Sequence, residues 1–210
     1  MSLFITLEGG EGCGKSSQAK ALYGRLKRRG IPALLIHEPG STALGQRINR
    51  LLKWAHDTSI SPLSELLLFN AARSQLVSQV IKPALKEGKV VLCDRFSDST
   101  TAYQSYGRGL DFNTVRQINE LTSQNLKPDI TILLDMPPET GLARKGEKSH
   151  DRFESEAIDF HRRVRQGYLE LAQREQERWL VIDARKPKGE IAAVIWQRVN
   201  ELISQQKETG

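Results

Sequence analysis

The chain has 210 residues, of which 39% are hydrophobic and 27% charged, a composition typical of one globular domain. No stretch approaches the ~20 uncharged apolar residues of a membrane-spanning helix, and the apolar run at residues 3–7 is too short for a signal peptide. We therefore expect a cytoplasmic protein, not bound to membranes, with Cys13 and Cys93 reduced. The net charge of +6 favours anionic partners, but the basic residues are spread along the chain, which argues against nucleic acid.

Five short apolar runs alternate with helical patterns along the chain. The runs are residues 4–7, 33–36, 90–93, 130–134 and 179–182. Continuous apolar runs between amphipathic helices are typical of buried parallel strands. The sequence therefore predicts a single α/β domain over residues 1–210, with a five-stranded parallel sheet and helices on both of its faces.

Four helices are predicted from apolar spacing and from their end signals. They span residues 15–29, 62–82, 154–176 and 189–206. Gly30 ends the first helix, and Ser61 and Pro62 are typical of the N-cap and first position of the second. Residues 143–152 have no apolar periodicity and are rich in lysine and arginine, so we predict a mobile, positively charged loop there.

The stretch from Gly9 to Ser16 fits the phosphate-loop pattern G-x-x-x-x-G-K-S/T, and it lies between a predicted strand and a predicted helix. Its glycines leave backbone N–H groups free to surround a phosphate at the helix N-terminus. Lys15 would reach the β- and γ-phosphates of a nucleotide, and the Ser16 hydroxyl would help to hold Mg²⁺. The loop by itself does not identify the second substrate.

Two acidic positions narrow the class of phosphate-loop protein. A carboxylate at Glu11 would repel a triphosphate if it faced the loop interior, so we expect it to face outward, toward a second ligand or a metal-bound water. The third predicted strand is followed by Asp94 and Arg95, which suit magnesium and a second phosphate respectively. The sequence contains no N-K-x-D motif, which a GTPase switch would use to recognise guanine.

Several segments together resemble bacterial-type thymidylate kinases, from residue 3 to about residue 200. The matching segments are LEGGEGCGKSS (7–17), HEPGSTALG (37–45), FNAARSQL (69–76), DRFSDSTTAYQSYGRGLD (94–111), KPDITILLDMPPETGLAR (127–144), DRFE (151–154) and VIDA (181–184). The resemblance implies a phosphate-loop nucleoside monophosphate kinase fold with a short basic lid at about 143–154. It also implies transfer of the γ-phosphate of ATP to dTMP with Mg²⁺, giving dTDP for dTTP synthesis, and a homodimer.

The resemblance assigns the base and sugar of dTMP to five side chains. Phe69 resembles the aromatic residue that stacks on thymine, and Arg73, one helical turn later, resembles the arginine that donates to a thymine carbonyl. Thr100 and Gln104 resemble contacts to the base edge. Tyr103 resembles the ring that occupies the place of a ribose 2′-hydroxyl and so selects deoxyribose.

Further acceptor and donor residues follow from the same resemblance. Arg95 resembles the residue that grips the dTMP phosphate, Glu11 the acid that approaches the sugar hydroxyl, and Glu38 an acid near the monophosphate.

Arg144 resembles the arginine that lies against the adenine of ATP. The implied ATP-binding residues are Gly9, Gly10, Glu11, Gly12, Cys13, Gly14, Lys15, Ser16, Ser17 and Arg144, and the implied magnesium ligands are Ser16 and Asp94. Arg108 is left with two alternatives, a phosphate contact or a loop cap.

The chain departs from the family pattern at the lid and in the second loop. Bacterial-type members supply a transition-state cation from the lid, and here the candidates are Lys145, Lys148 and Arg152. We favour Arg152 because lysine cannot clamp a phosphoryl group through two parallel hydrogen bonds. Catalysis is therefore assigned to Lys15, Arg95 and Arg152.

The second loop departs from the pattern at three positions. His37 and Ser41 replace the usual arginine and glycine around the E-P-G motif. Asn49 replaces a basic residue of the following helix, and either Arg47 or Arg50 would have to compensate for it.

An ionised phosphate acceptor needs no general base, so the expected mechanism is in-line transfer between two neutralised polyanions. Two kinds of alternative remain open. A kinase for another nucleotide or for a nucleoside would use the same scaffold, and a nucleoside kinase would need Glu11 or Glu38 as a base. An ATPase switch would hydrolyse ATP without a small-molecule acceptor.

Overall fold

A computed structural model of the protein describes residues 2–54, 59–146 and 151–208. The five predicted strands are confirmed and form one parallel sheet in the order β2-β3-β1-β4-β5. They are β1 Leu3–Glu8, β2 Ala33–His37, β3 Val90–Asp94, β4 Ile130–Asp135 and β5 Trp179–Asp183. Each strand ends one residue beyond its predicted apolar run, on an ionisable side chain. Because the strands are parallel, these side chains all lie at one edge of the sheet.

Nine helices are found in the described part of the chain. They are α1 Lys15–Arg28, α2 Ala43–Trp54, α3 Pro62–Leu76, α4 Lys82–Lys86, α5 Ser97–Thr100, α6 Phe112–Thr122, α7 Pro138–Lys145, α8 Ile158–Arg174 and α9 Lys188–Glu208. Two π-helical segments extend this set: Val77–Ile81 joins α3 to α4, and Thr101–Gly107 continues α5. None of these helices is long and apolar enough to cross a membrane.

Both faces of the sheet are covered, as predicted. On β1 the side chains alternate, so that Leu3, Ile5 and Leu7 pack in one cluster with α1 and α9. Phe4 packs on the opposite face, in a cluster that includes Val77 of the first π-helical segment. The alternation also places Glu8 on the Phe4 face, where α8 covers it.

The helix predictions hold in the main and fail at two boundaries. Ser61 caps α3 as expected, because its Oγ accepts a hydrogen bond from the Ser64 N–H at 3.2 Å. The prediction that a helix begins at residue 154 was wrong, because Asp151 Oδ1 accepts from the backbone N–H groups of Phe153 and Glu154 at 3.0 Å and makes a turn there. The predicted loop was wrong for residues 143–145, which form the last turn of α7.

The lid is only partly described. Residues 147–150 lie outside the described residues, and Lys148, one of the three candidate lid cations, is among them. Cys13 and Cys93 are free cysteines, and both are buried.

Candidate active site

The phosphate loop spans Gly9 to Ser16, between β1 and α1. Lys15 is buried, and its Nζ donates to the carbonyl oxygens of Gly9 at 3.0 Å and Gly10 at 2.7 Å. The loop also touches the lid helix, because a Cβ on Gly12 would overlap the backbone of Gly141 in α7. Gly12 has φ of 69°, so glycine is required there by conformation as well as by space.

Ser16 and Asp94 come together from different elements. Asp94 ends β3, next to β1, and its Oδ2 accepts a hydrogen bond from Ser16 Oγ at 2.5 Å. A hydroxyl and a carboxylate are oxygen ligands of the kind that Mg²⁺ prefers, and Mg²⁺ commonly takes only one or two protein ligands beside waters and phosphates. Among the described residues, no group of three or more His, Cys, Asp or Glu side chains is arranged so that it could hold a metal ion. The pair therefore fits magnesium held together with a nucleotide.

Arg95 is held in an unusual backbone conformation. Its φ is 71°, the left-handed region that non-glycine residues seldom adopt. The next backbone N–H, that of Phe96, donates to Glu8 Oε1 at 2.7 Å. The guanidinium turns back over the phosphate loop, where Nη1 donates to Gly9 O at 3.1 Å and Nη2 to Glu11 Oε1 at 2.6 Å. The strained backbone thus aims the arginine at the loop.

Glu11 lies at the junction of three donors. Besides Arg95, it accepts from Tyr103 OH at 2.9 Å and from Lys145 Nζ at 2.9 Å. Burial acts to raise the pKa of Glu11, but the positive charges of Arg95, Lys15 and Lys145 outweigh it and hold that pKa well below its usual range. Glu11 is therefore a carboxylate that organises cations around the loop.

The residues predicted to surround a base lie next to this junction. Arg73 is fully buried, with Nη1 donating to Asn119 Oδ1 at 2.7 Å and Nη2 to Thr100 Oγ1 and Glu38 Oε1. Burial raises the pKa of Glu38 although the guanidinium of Arg73 opposes that shift. In the described residues, Arg73 Nε and Glu38 Oε2 have no hydrogen-bond partner. These unpaired buried groups are the kind of feature that a bound ligand satisfies.

A further buried carboxylate, Glu65, lies in the first turn of α3, and no motif of the sequence indicated it. It accepts from Gln104 Nε2 at 2.8 Å and from the guanidinium groups of Arg108 and Arg152. An acid in the first turn of a helix is ordinarily explained by its favourable interaction with the helix dipole. The position of Glu65 in the sequence therefore did not indicate that its side chain is buried. Arg108 also pairs with Glu156, and in this structure it contacts acidic side chains instead of facing the phosphate loop.

The lid cations divide between two places. Lys145 reaches Glu11 and Glu154 beside the phosphate loop. Arg152 instead donates to Glu65 and to the carbonyl oxygen of Leu52 at 2.9 Å, away from Lys15. Arg144 donates to Ala184 O at 3.2 Å, after β5. Among the described residues, Lys145 is the lid cation at the loop in this conformation.

Asn49 faces the site, but the two arginines beside it do not. Arg47 and Arg50 are exposed on α2. Lys53, one helical turn after Asn49, lies on the same helix face and pairs with Asp151 at 3.1 Å. The basic residue that accompanies Asn49 in the site is therefore Lys53, which the sequence analysis did not consider.

These groups share one cavity of about 460 Å³. Of the predicted site residues, it is lined by Glu11, Gly12, Gly14, Lys15, Ser16, Ser17, Glu38, Phe69, Arg73, Asp94, Arg95, Thr100, Tyr103 and Gln104. Gly9, Gly10, Cys13, Arg144 and Arg152 lie outside the lining. His37, Asn49, Lys53 and Lys145 are among the other lining residues.

A parallel five-stranded sheet with a phosphate loop after its central strand defines an α/β protein with the phosphate-loop nucleoside monophosphate kinase fold. The thymidylate kinase family model matches residues 7–195. Thymidylate kinases with similar sequences include that of Dehalococcoides mccartyi, 56% identical over 208 residues covering 99% of this chain and 100% of the relative. That of Synechococcus sp. is 51% identical over 201 residues covering 96% of each chain.

A solved structure gives the same result. The crystal structure of thymidylate kinase from Ehrlichia chaffeensis matches with a TM-score of 0.77 and 32% identity, covering 94% of this chain and 98% of that one. The chain belongs to the thymidylate kinase family, and it is a nucleotide kinase.

Proposed function

We propose that the protein transfers the γ-phosphoryl group of ATP to dTMP, with Mg²⁺, and supplies dTDP for deoxynucleotide synthesis. The observation that carries the proposal is the contact of Arg95 with Glu11 at 2.6 Å within one cavity. That cavity extends from the phosphate loop, which suits a donor nucleotide, to Phe69 and Arg73, which suit an acceptor base. Family membership supports the same substrates.

The donor nucleotide is assigned to the loop and to its helix. The backbone N–H groups at the N-terminus of α1 and the Lys15 ammonium would bind the β- and γ-phosphates. In that position Lys15 exchanges its present carbonyl partners, Gly9 and Gly10, for phosphate oxygens. Ser16 and Asp94 would hold Mg²⁺, which when bound neutralises charge on the phosphates. Arg144, which donates to Ala184 O, would lie against the adenine.

The acceptor is assigned to the other half of the cavity. The Phe69 ring lies 5.7 Å from that of Phe153 and offers a face for a pyrimidine, an interaction typically worth about 1–3 kcal/mol. Arg73 and Thr100 present donors to its edge. Tyr103 packs between the base pocket and Glu11, where its ring would exclude a ribose 2′-hydroxyl. Arg95 would bind the monophosphate.

The chemistry needs positioning more than acid–base assistance. The second pKa of a phosphomonoester is about 6, so the acceptor oxygen is already ionised at neutral pH. That oxygen bonds to the γ-phosphorus as the bond to the β,γ-bridging oxygen breaks, and ADP leaves with the electron pair. Lys15, Arg95 and Lys145 offset the mutual repulsion of the two anions, and Arg152 would join them if the lid rearranged.

The proposed homodimer is supported by an apolar surface on α2 and α3, two helices that pack together. Leu44 and Leu51 on α2, with Leu63 and Leu67 on α3, are between 39% and 51% exposed. Four large exposed apolar side chains on two helices that pack together suit a second copy of the chain.

A panel of acceptors tests the activity. Purified protein with ATP and Mg²⁺ is given dTMP, dCMP, thymidine or no acceptor, and ADP release is measured. We expect rapid release with dTMP alone. Release with thymidine would favour a nucleoside kinase, and release without an acceptor would favour an ATPase switch; either result without turnover of dTMP would refute the proposal.

A further inference from the structure

A buried carboxylate supports the wall of the acceptor pocket. Glu65 is 1% exposed. Arg108 donates to it twice, from Nε to Oε1 at 3.1 Å and from Nη2 to Oε2 at 3.2 Å, and Arg152 Nη2 donates to Oε2 at 2.5 Å. Guanidinium groups remain protonated in proteins. Glu65 therefore lies between two fixed positive charges, and both of its oxygens accept hydrogen bonds from them.

The remaining donor to Glu65 is Gln104, whose Nε2 lies 2.8 Å from Oε1. A carboxamide is nearly symmetric in shape, so its partner decides which end points where. Because Oε1 of Glu65 accepts, the NH₂ group of Gln104 must face Glu65 and the carbonyl oxygen must face away. Gln104 is 1% exposed and lines the cavity, and no donor to its Oε1 is found among the described residues.

We propose that Glu65 is a positioning residue that sets the base specificity of the site, by holding the carbonyl oxygen of Gln104 toward the pyrimidine. The inference rests on the proposed function. A pyrimidine imide such as thymine carries a donor at N3–H, which a fixed carbonyl accepts. Cytosine carries a lone pair at N3, which would face the lone pairs of that carbonyl.

The neighbouring donors fit the same base. Arg73 Nε is buried without a partner, and Thr100 Oγ1 already accepts from Arg73 Nη2, so its own hydrogen can be donated. These donors suit the C4 carbonyl of thymine and oppose the C4 amino group of cytosine. A site whose buried polar groups are left unpaired by the wrong ligand discriminates strongly, often by more than about 10³-fold.

The test variant is Glu65→Gln, whose amide can donate to Gln104 and so permits the reversed orientation. We expect the ratio of kcat/KM for dTMP to kcat/KM for dCMP to fall at least tenfold, chiefly through a higher KM for dTMP. Glu156→Gln is the matched control. Glu156 pairs with the same Arg108 at 2.5 Å, but the hydrogen bond from Gln104 goes to Glu65, so this variant leaves the partner of Gln104 in place. We expect an unchanged ratio in the control.

An unchanged ratio in folded Glu65→Gln would overturn the inference, whereas failure of the wild type to phosphorylate dTMP would overturn the proposed function instead.

A second measurement avoids the buried substitution. Wild-type protein is titrated with dTMP and with its N3-methyl analogue, which keeps both carbonyl groups but cannot donate at N3. We expect the analogue to bind at least tenfold more weakly, and this difference to shrink in Gln104→Ala, which removes the accepting carbonyl and leaves room for the methyl group. Equal binding of both nucleotides by the wild type would also refute the inference.

Discussion

Glu11 of the phosphate loop and Arg95 at the end of β3 form an ion pair of 2.6 Å between two regions that the chain separates by more than eighty residues. Both side chains are largely buried, and Tyr103 OH donates to the same oxygen of Glu11 at 2.9 Å. The carboxylate therefore holds the arginine over the loop before any phosphate binds. This preorganisation is the central feature of the site, because a cation already in position does not reorganise during the reaction.

Removal of the Arg95 guanidinium should abolish most turnover. We expect Arg95→Ala to reduce kcat/KM about 10³-fold or more, because the acceptor phosphate loses a fixed bidentate donor. Arg95→Lys should recover little, since a lysine cannot contact Glu11 and a phosphate through one planar fork. Arg162→Ala, which removes an exposed arginine paired with Glu139, serves as the control. Near-normal kcat/KM in Arg95→Ala would refute the role.

The Tyr103 ring should determine selectivity for the sugar. We expect Tyr103→Ala to relax discrimination against ribo-thymidine monophosphate, because the space for a 2′-hydroxyl opens. Tyr103→Phe keeps the ring and loses only the hydroxyl that donates to Glu11, so its selectivity should stay near that of the wild type. The measurement is kcat/KM for the two sugars. Equal selectivity in all three proteins would remove the ring from this role.

Lys53 should contribute to acceptor binding in place of the family's basic residue at position 49. We expect Lys53→Ala to raise KM for dTMP about tenfold or more, since a hydrogen bond to a charged group contributes about 1.5–3 kcal/mol. Arg50→Ala, on the exposed face of the same helix, should leave KM unchanged. If Arg50→Ala raised KM and Lys53→Ala did not, the assignment would be reversed.

Glu8 should make the stability of the fold depend on pH. Burial, with the negative charge of Asp98 as a smaller contribution, raises the pKa of Glu8 from 4.5 to about 7. Between these values the folded protein binds a proton that the unfolded chain releases, so the free energy of unfolding falls as pH rises from 4.5 to 7. The decrease would be about 3 kcal/mol.

Urea unfolding at several pH values between 4.5 and 8 measures this slope. Glu8→Gln cannot titrate and should show a flatter profile than the wild type. Glu139→Gln, which changes an exposed acid on α7, should keep the wild-type decrease over this range. Parallel profiles for the wild type and Glu8→Gln would contradict the expectation.

The apolar surface of α2 and α3 should hold two copies of the chain together. We expect Leu67→Glu to shift the sedimentation of the protein from dimer to monomer, because it places a charge within the surface formed by Leu44, Leu51, Leu63 and Leu67. Leu121→Glu is the matched control, since Leu121 is 77% exposed on α6 and outside that surface. A monomeric wild-type protein at micromolar concentration would refute the dimer.

Local patterns in the sequence were sufficient to predict the sheet and the phosphate loop. Apolar runs bounded by polar residues placed all five strands, because burial on both sheet faces leaves a continuous apolar pattern. The glycines and Lys15 identified the loop, because phosphate binding there uses backbone N–H groups whose spacing is fixed along the chain. The shared edge of parallel strands also made it possible to expect Asp94 and Arg95 near that loop.

Only the tertiary structure decided which charged side chains face the cavity. Arg152 and Lys145 are both basic residues of the lid, yet Arg152 contacts Glu65 and Lys145 contacts Glu11. Arg50 and Lys53 lie three residues apart on α2, and only Lys53 lines the cavity. Long basic side chains reach many partners, and their positions depend on buried carboxylates contributed by distant segments. Glu65 and Glu11 are such carboxylates. Burying a charge without a partner costs free energy, and this cost determines which of the arginines and lysines within reach pair with each carboxylate.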